Sequence, residues 1–234
     1  MEETEWGSEP EYFGPRHYYR ESILLNQINK KLKKGLILDA GFGNGSLSLR
    51  LSKGKYKIVG IDLSQKFIEY TSKKIQSPNI KLERGDITNL NFKNNTFDGI
   101  ICSEVLELIE DDGTAIKEFH RTLNENGKLF LSVPANPKLW DKSDEWAGHK
   151  RRYTKERLME LLKMNGFKII DIHYWGFPLT RFYHRQIYLK TLKNEKLKNI
   201  KIKKHSKYLA NIFKVDNLFN KLPWGIGLIV VAQK

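Results

Sequence analysis

The chain has 234 residues, 40% of them hydrophobic and 12% aromatic, enough to bury one substantial core. Its single cysteine, Cys102, excludes an internal disulfide and a cysteine-based zinc cluster, so no metal is expected. The acidic opening lacks the basic start and apolar core of a signal peptide, and no apolar run approaches the roughly 20 residues of a spanning helix, so a soluble or surface-bound cytoplasmic protein is expected.

Tyr19, Ile23, Leu24, Ile28 and Leu32 recur at helical spacing, and Lys30, Lys31 and Lys33 suit the C-terminal end of a helix over residues 16–32. The run 35–40 is a short apolar strand ending in glycines, and Leu47, Leu49 and Leu51 resume helical spacing after it. Residues 56–62 form a second strand, Ser64 caps a helix through Ile75, and residues 80–84 form a third strand. Strand 97–103, an acidic helical stretch through Leu123 and strand 127–133 follow. Thr154 is placed to cap a helix over 155–164, and strands are expected at 168–174 and 226–232. Strand and helix alternate, which predicts an α/β fold: an open, doubly wound, Rossmann-like sheet whose ligand site lies at the carboxyl ends of its strands.

About fifty residues between the last two strands are surplus to such a sheet. From Arg181 to Lys221 there are twelve Lys and Arg against Glu195 and Asp216, ten of the chain's fourteen excess positive charges. Tyr208, Ile212, Val215, Phe219 and Leu222 recur there at helical spacing, predicting an amphipathic helix. The reading divides the chain into a leading helix or lid (1–34), a cofactor-binding core (35–177), a basic helical insertion (178–223) and a last core strand (224–234). Three roles stay open for the insertion: a solvated face, contact with an anionic membrane at its inner face, and, with less weight, a grip on nucleic-acid phosphates.

The chemistry gathers at three strand ends. Asp39, Gly41, Phe42, Gly43 and Gly45 lie where the first strand turns into a helix, a context in which glycines let the backbone approach a ligand. Asp62 and Asp86 stand at the ends of the next two strands. A carboxylate at the second strand can accept two ribose hydroxyls, and one after the third can accept an adenine amino group. A dinucleotide would also suit Asp62, but Ser46 occupies the place of the third glycine in the dinucleotide fingerprint.

With Gly85-Asp86-Ile87 and the run from Phe97 to Glu107, these residues resemble the class I S-adenosylmethionine (SAM)-dependent methyltransferases over roughly 16–177 and again over 225–234. The resemblance implies a seven-stranded sheet in the order 3-2-1-4-5-7-6 with the seventh strand antiparallel. It implies SAM as cofactor, with Asp39 and Gly41 to Gly45 around the methionine part, Asp62 with Leu63 at the ribose, Asp86 with Ile87 at the adenine, and Ser103 and Glu104 beside the methyl group. Many relatives carry histidine after the Leu-Glu of the fourth-strand region; here Leu108 stands there. Gly148-His149-Lys150-Arg151-Arg152-Tyr153 is similar to a sequence found in many methyltransferases, and follows the fifth strand on the side expected for an acceptor. His149 is the candidate proton acceptor, Arg152 can pair an acidic group, and Trp140, Trp146 and Tyr153, with Tyr18 and Tyr19 of the leading helix, are the candidate acceptor-pocket residues. The expected activity is methyl transfer to a small-molecule or lipid-linked acceptor, with an RNA methyltransferase or a non-catalytic SAM-binding module as alternatives.

Overall fold

The computed structural model describes residues 14–190 and 205–234. The ends of the expected lid (1–13) and the middle of the basic insertion (191–204) lie outside them. The leading helix α1 is Pro15–Lys31, followed by β1 (Gly35–Ala40), α2 (Ser46–Ser52), β2 (Tyr56–Asp62), α3 (Gln65–Lys74), β3 (Ile80–Arg84) and β4 (Phe97–Ser103). Then come α4 (Asp112–Thr122), β5 (Leu123–Pro134), α5 (Lys142–Ala147), α6 (Lys155–Met164) and β6 (Lys168–Trp175). After α7 (Leu179–Tyr183) the chain passes through a π turn at His184–Tyr188. The last elements are α8 (His205–Ile212), a 3-10 stretch at Phe213–Phe219, and β7 (Gly227–Gln233).

The seven strands form one sheet in the order β3-β2-β1-β4-β5-β7-β6. β7 runs antiparallel to both β5 and β6, and the pairs β3-β2, β2-β1, β1-β4 and β4-β5 are parallel. This is the topology that the family resemblance implies.

Because side chains alternate along a strand, neighbouring residues feed opposite layers. Leu38, Ile100, Leu129 and Val230 pack beneath α4 and α6 with Phe119, Tyr153 and Leu162. Ile37, Ile101, Phe130 and Val231 face the other way, against Leu24 and Ile28 of α1. The central strands are therefore buried on both faces and read as continuous apolar runs.

Local signals set the helix starts. Ser64 and Thr154 accept the backbone N–H groups of Phe67 and Arg157, as read from the sequence. Helix α5 carries no helical apolar spacing in the sequence. It is held by a capping box in which Asp141 and Asp144 reciprocate, and it ends on Gly148 at φ 70°. The expected insertion helix is present as α8 and its 3-10 continuation; α7 and its π turn are additional.

Candidate active site

At the tip of β1 the chain turns through Gly41, Gly43 and Gly45, all at positive φ. At Gly41 a Cβ would meet Val105 Cγ2 at 2.5 Å, so a side chain is excluded on steric as well as conformational grounds. At Gly43 a Cβ would meet no atom within 4 Å: the turn borders open space. That space is a cavity of about 300 Å³. Its floor is the glycine turn with Asp39 and Asp62, one side is Leu63, Phe67, Gly85 and Ile87, and the other is α1 with Ser103, Glu104 and Trp146.

Asp39 is buried, and Ser48 Oγ donates to its Oδ2. Burial pushes the Asp39 carboxyl up to about 7, against the lowering effect of that hydrogen bond. Asp62 receives Gly43 N–H on Oδ2 and Ser64 N–H on Oδ1, each at 2.9 Å. Burial raises its pKa as well, opposed by the amides of Ser64, Gly43 and Leu63. Each carboxylate oxygen can accept more than one hydrogen bond, so Asp62 shapes the turn and keeps acceptor capacity toward the cavity.

Helix α1 closes the opposite wall with His17, Arg20 and Glu21, which share one helical face. His17 Nε2 contacts Glu21 Oε1 at 3.0 Å and its Nδ1 lies 3.2 Å from Arg20 Nη2. Burial lowers the His17 pKa, which favours the neutral ring donating to Glu21 and accepting from Arg20. Burial acts to raise the Glu21 carboxyl, but His17, Ser46 and Arg50 overcome it and hold the group below its ordinary value. Arg20 Nη1 approaches Glu104 Oε2 at 3.4 Å, while its buried Nε has no partner.

Glu104 follows β4 at φ 57°, a left-handed conformation uncommon outside glycine. Its Oε1 accepts Ser132 Oγ at 3.0 Å, and Ser132 Oγ is 3.1 Å from Ser103 Oγ. Behind it Glu107 is fully buried, and neither carboxyl oxygen has a hydrogen-bond partner among the described residues. Burial and then the charge of Glu104 push the Glu107 pKa well above the ordinary carboxyl value, which favours the neutral acid.

The structure brings Asp39, Gly41, Phe42, Gly43, Asp62, Leu63, Ile87, Ser103, Glu104 and Trp146 to one cavity, whereas Gly45 lies against Thr71 and Ile75 and does not line it. Other expected site residues stand elsewhere. Asp86 accepts the amide and hydroxyl of Thr88 on Oδ1, both at 2.8 Å, and it is its neighbours Gly85 and Ile87 that line the wall. Tyr19 is buried on the far face of α1 and donates to Asn217 Oδ1. Tyr18 lies under the Arg50 guanidinium beside a separate groove. The helical turn of 100° per residue accounts for this: the face that carries His17, Arg20 and Glu21 turns both tyrosines away.

Trp140 is exposed and does not line the cavity. Arg152 is buried in a fork with Asp144, Nε to Oδ1 at 2.8 Å and Nη2 to Oδ2 at 2.7 Å, so its guanidinium is already matched. Tyr153 is buried in the core and donates to Asp112 Oδ2. His149 stands behind the wall: Nδ1 bonds Asp144 Oδ1 at 2.8 Å and Nε2 lies 3.7 Å from Glu107 Oε1. It is held by the Asp144 carboxylate and does not line the cavity.

The sequence reading missed His17, Arg20, Glu21 and Glu107. Polar residues at i, i+3 and i+4 on an otherwise amphipathic helix were the available signal for the first three. Glu107 had none, since its burial is purely tertiary.

A Rossmann-like sheet with an acid-and-glycine turn at β1 and a carboxylate at the tip of β2 is an arrangement suited to a nucleoside-containing ligand. A family model described as "Methyltransferase domain" matches residues 38–131. Demethylmenaquinone methyltransferase of Lactobacillus johnsonii is 31% identical over 118 residues, covering 46% of this chain and 48% of that protein. Ubiquinone biosynthesis O-methyltransferase of Coxiella burnetii is 30% identical over 132 residues, 53% of this chain and 56% of that one. The chain thus spans about half the length of the curated relatives it matches. Among solved structures, the [4+2]-cyclase SpnF superposes with a TM-score of 0.65 at 19% identity over 92% of this chain and 80% of that one, a likeness of fold alone. Residues 38–131 thus match a methyltransferase domain, and the sheet around them has the strand order that the resemblance to class I SAM-dependent methyltransferases implies.

Proposed function

We propose that this chain transfers a methyl group from SAM, held in the cavity at the tips of β1, β2 and β4, to a small-molecule or lipid-linked acceptor approaching from the side of α1 and α5. The supporting observation is the cavity itself: open space at Gly43 between two half-satisfied acidic strand ends, with apolar walls at Leu63, Phe67 and Ile87. These residues fit an adenosyl group with an amino-acid tail. Bound SAM supplies an electrophilic methyl on a sulfonium, whose positive charge disappears as the new bond forms.

The chain's own residues bind, orient and dry the site. Asp62 would accept the ribose hydroxyls, Asp39 and the glycine turn would hold the methionine end, and Phe67 and Ile87 would cover the adenine. Asp86, tied to Thr88, would serve the adenine edge only through its remaining acceptor capacity. Trp146, Leu108 and Ile109 exclude water on the acceptor side, where alignment supplies much of the rate. Glu104 Oε2, opposite Arg20, is the atom proposed to take a proton from a hydroxyl or amine acceptor. His149 acts as a positioning residue through Glu107.

The acceptor class draws support from the two quinone-pathway relatives, one named for demethylmenaquinone and the other for ubiquinone biosynthesis. The test is incubation with labelled SAM and a cell extract, followed by separation into lipid, small-molecule, RNA and protein fractions. Label in the lipid or small-molecule fraction is expected. Label confined to RNA or protein, or SAM binding without any transfer, would overturn the reading.

A further inference from the structure

The insertion presents an outward face that the methyl-transfer site does not use. On α8 and its 3-10 continuation, Ser206, Ala210, Phe213 and Asp216 are buried. The Phe213 ring packs on Tyr19 and Tyr183, and the Asp216 carboxylate receives the amides of Leu179 and Thr180 at 2.8 and 2.9 Å. This seats the helix against α1 and α7 and fixes which side looks outward. On that outward side Tyr208 (69% exposed), Ile212, Val215 and Leu218 (82%) follow one another at intervals of four, three and three residues. Lys207, Lys214 and Lys221, exposed and seven residues apart, run beside them. Arg181 Nη1 donates to the Trp224 carbonyl, joining half-exposed Trp224 to α7, where Phe182 is 66% exposed.

Among the described residues, the segments that build this face expose charge of one sign, with Asp171 of β6 bordering Lys214 and Lys221 in an adjoining groove. Residues 176–190 contain no Asp or Glu, and the single acidic side chain in 205–234, Asp216, is buried. An exposed row of aliphatic and aromatic side chains flanked by lysines, with no exposed carboxylate of its own among the described residues, matches the interface of a bilayer with anionic headgroups: apolar groups enter the acyl boundary while the lysine stems carry their charges to the phosphates. A nucleic acid would use the lysines but leave Ile212, Val215 and Leu218 in water.

We infer that the face formed by α8, its 3-10 continuation and α7 docks the protein on an anionic lipid surface. Docking needs neither cofactor nor acceptor, so its failure would leave the methyl-transfer reading untouched. The experiment is flotation of the full chain with vesicles of phosphatidylcholine, alone or mixed with phosphatidylglycerol, across a salt series. Partition onto the mixed vesicles alone, weakening as salt rises, is expected. Lys207→Gln with Lys214→Gln should lower the partition constant about fivefold per lysine. Ile212→Ser with Leu218→Ser should lower it about tenfold or more. These positions are exposed, so an unchanged melting temperature would show that each variant is folded. Absent partition, equal partition onto phosphatidylcholine alone, variants that bind like the parent, or salt-steep RNA binding without vesicle binding would each overturn the inference.

Discussion

The carboxylate of Asp62, at the tip of β2, accepts the backbone amide of Gly43, in the turn at the tip of β1, at 2.9 Å. One side chain therefore both shapes the glycine turn and faces the cavity that the turn borders. Asp62→Ala should weaken SAM binding about tenfold to a hundredfold, since a charged acceptor is worth about 1.5–3 kcal/mol per hydrogen bond. It should also lower the melting temperature by freeing two amides. Asp62→Asn should lie between the two. Calorimetric titration with S-adenosylhomocysteine, beside thermal melts, checks both effects.

Asp39 links the site to pH. Its carboxyl titrates at about 7 in the folded chain against 3.8 ordinarily, so between those values the folded state holds more protons than the unfolded one. Stability attributable to this group is therefore full below about pH 4 and declines as pH rises toward 7, by at most about 4 kcal/mol. Asp39→Asn should flatten that decline. Urea unfolding of parent and variant at pH 5 and pH 8 measures it; equal slopes would remove Asp39 as the source.

The Asp144–Arg152 fork is buried and matched on both sides. Arg152→Ala leaves a buried carboxylate beside His149 and should cost about 3–5 kcal/mol in chemical denaturation. Its defining result is lost stability without a selective rise in acceptor KM, the opposite of what a substrate-binding arginine would give.

Helix α1 offers a direct contrast. Arg20→Met should raise acceptor KM or lower kcat, because Arg20 lines the cavity opposite Glu104. Tyr19→Phe should cost about 1 kcal/mol of stability through the lost bond to Asn217 and leave both kinetic constants unchanged. Steady-state kinetics with whichever fraction takes up label from SAM separates them.

Glu104→Gln should lower kcat while leaving SAM affinity within about threefold, if its Oε2 takes the acceptor proton. His149→Gln should act on the same step more weakly and shift the pH profile of kcat, as a residue working through Glu107 would. Parallel loss of SAM affinity in either variant would make its role structural.

The strands, their alternation with helices and the acidic strand ends were legible in the sequence because each rests on local pattern: period-two or continuous apolar runs, capping residues and glycines at the turn. Sheet order came with the family resemblance, and the pairing of β7 between β5 and β6 bears it out. The far wall of the cavity was not legible. Tyr18, Tyr19, Arg152 and Tyr153 have the residue types of a binding site, yet helix rotation and burial assign them to packing and a closed ion pair, while His17, Arg20 and Glu21 take the wall. A side chain's type is a property of sequence; which face it occupies, and whether its polar atoms are already satisfied, depends on neighbours the fold brings together, from Asp144 for Arg152 to Asn217 for Tyr19. That is why the acidic strand ends and the glycine turn, built on one sheet edge, could be read from the chain alone, and why the opposite wall of the cavity, built where α1, the β4 loop and α5 meet, was decided only by the tertiary structure.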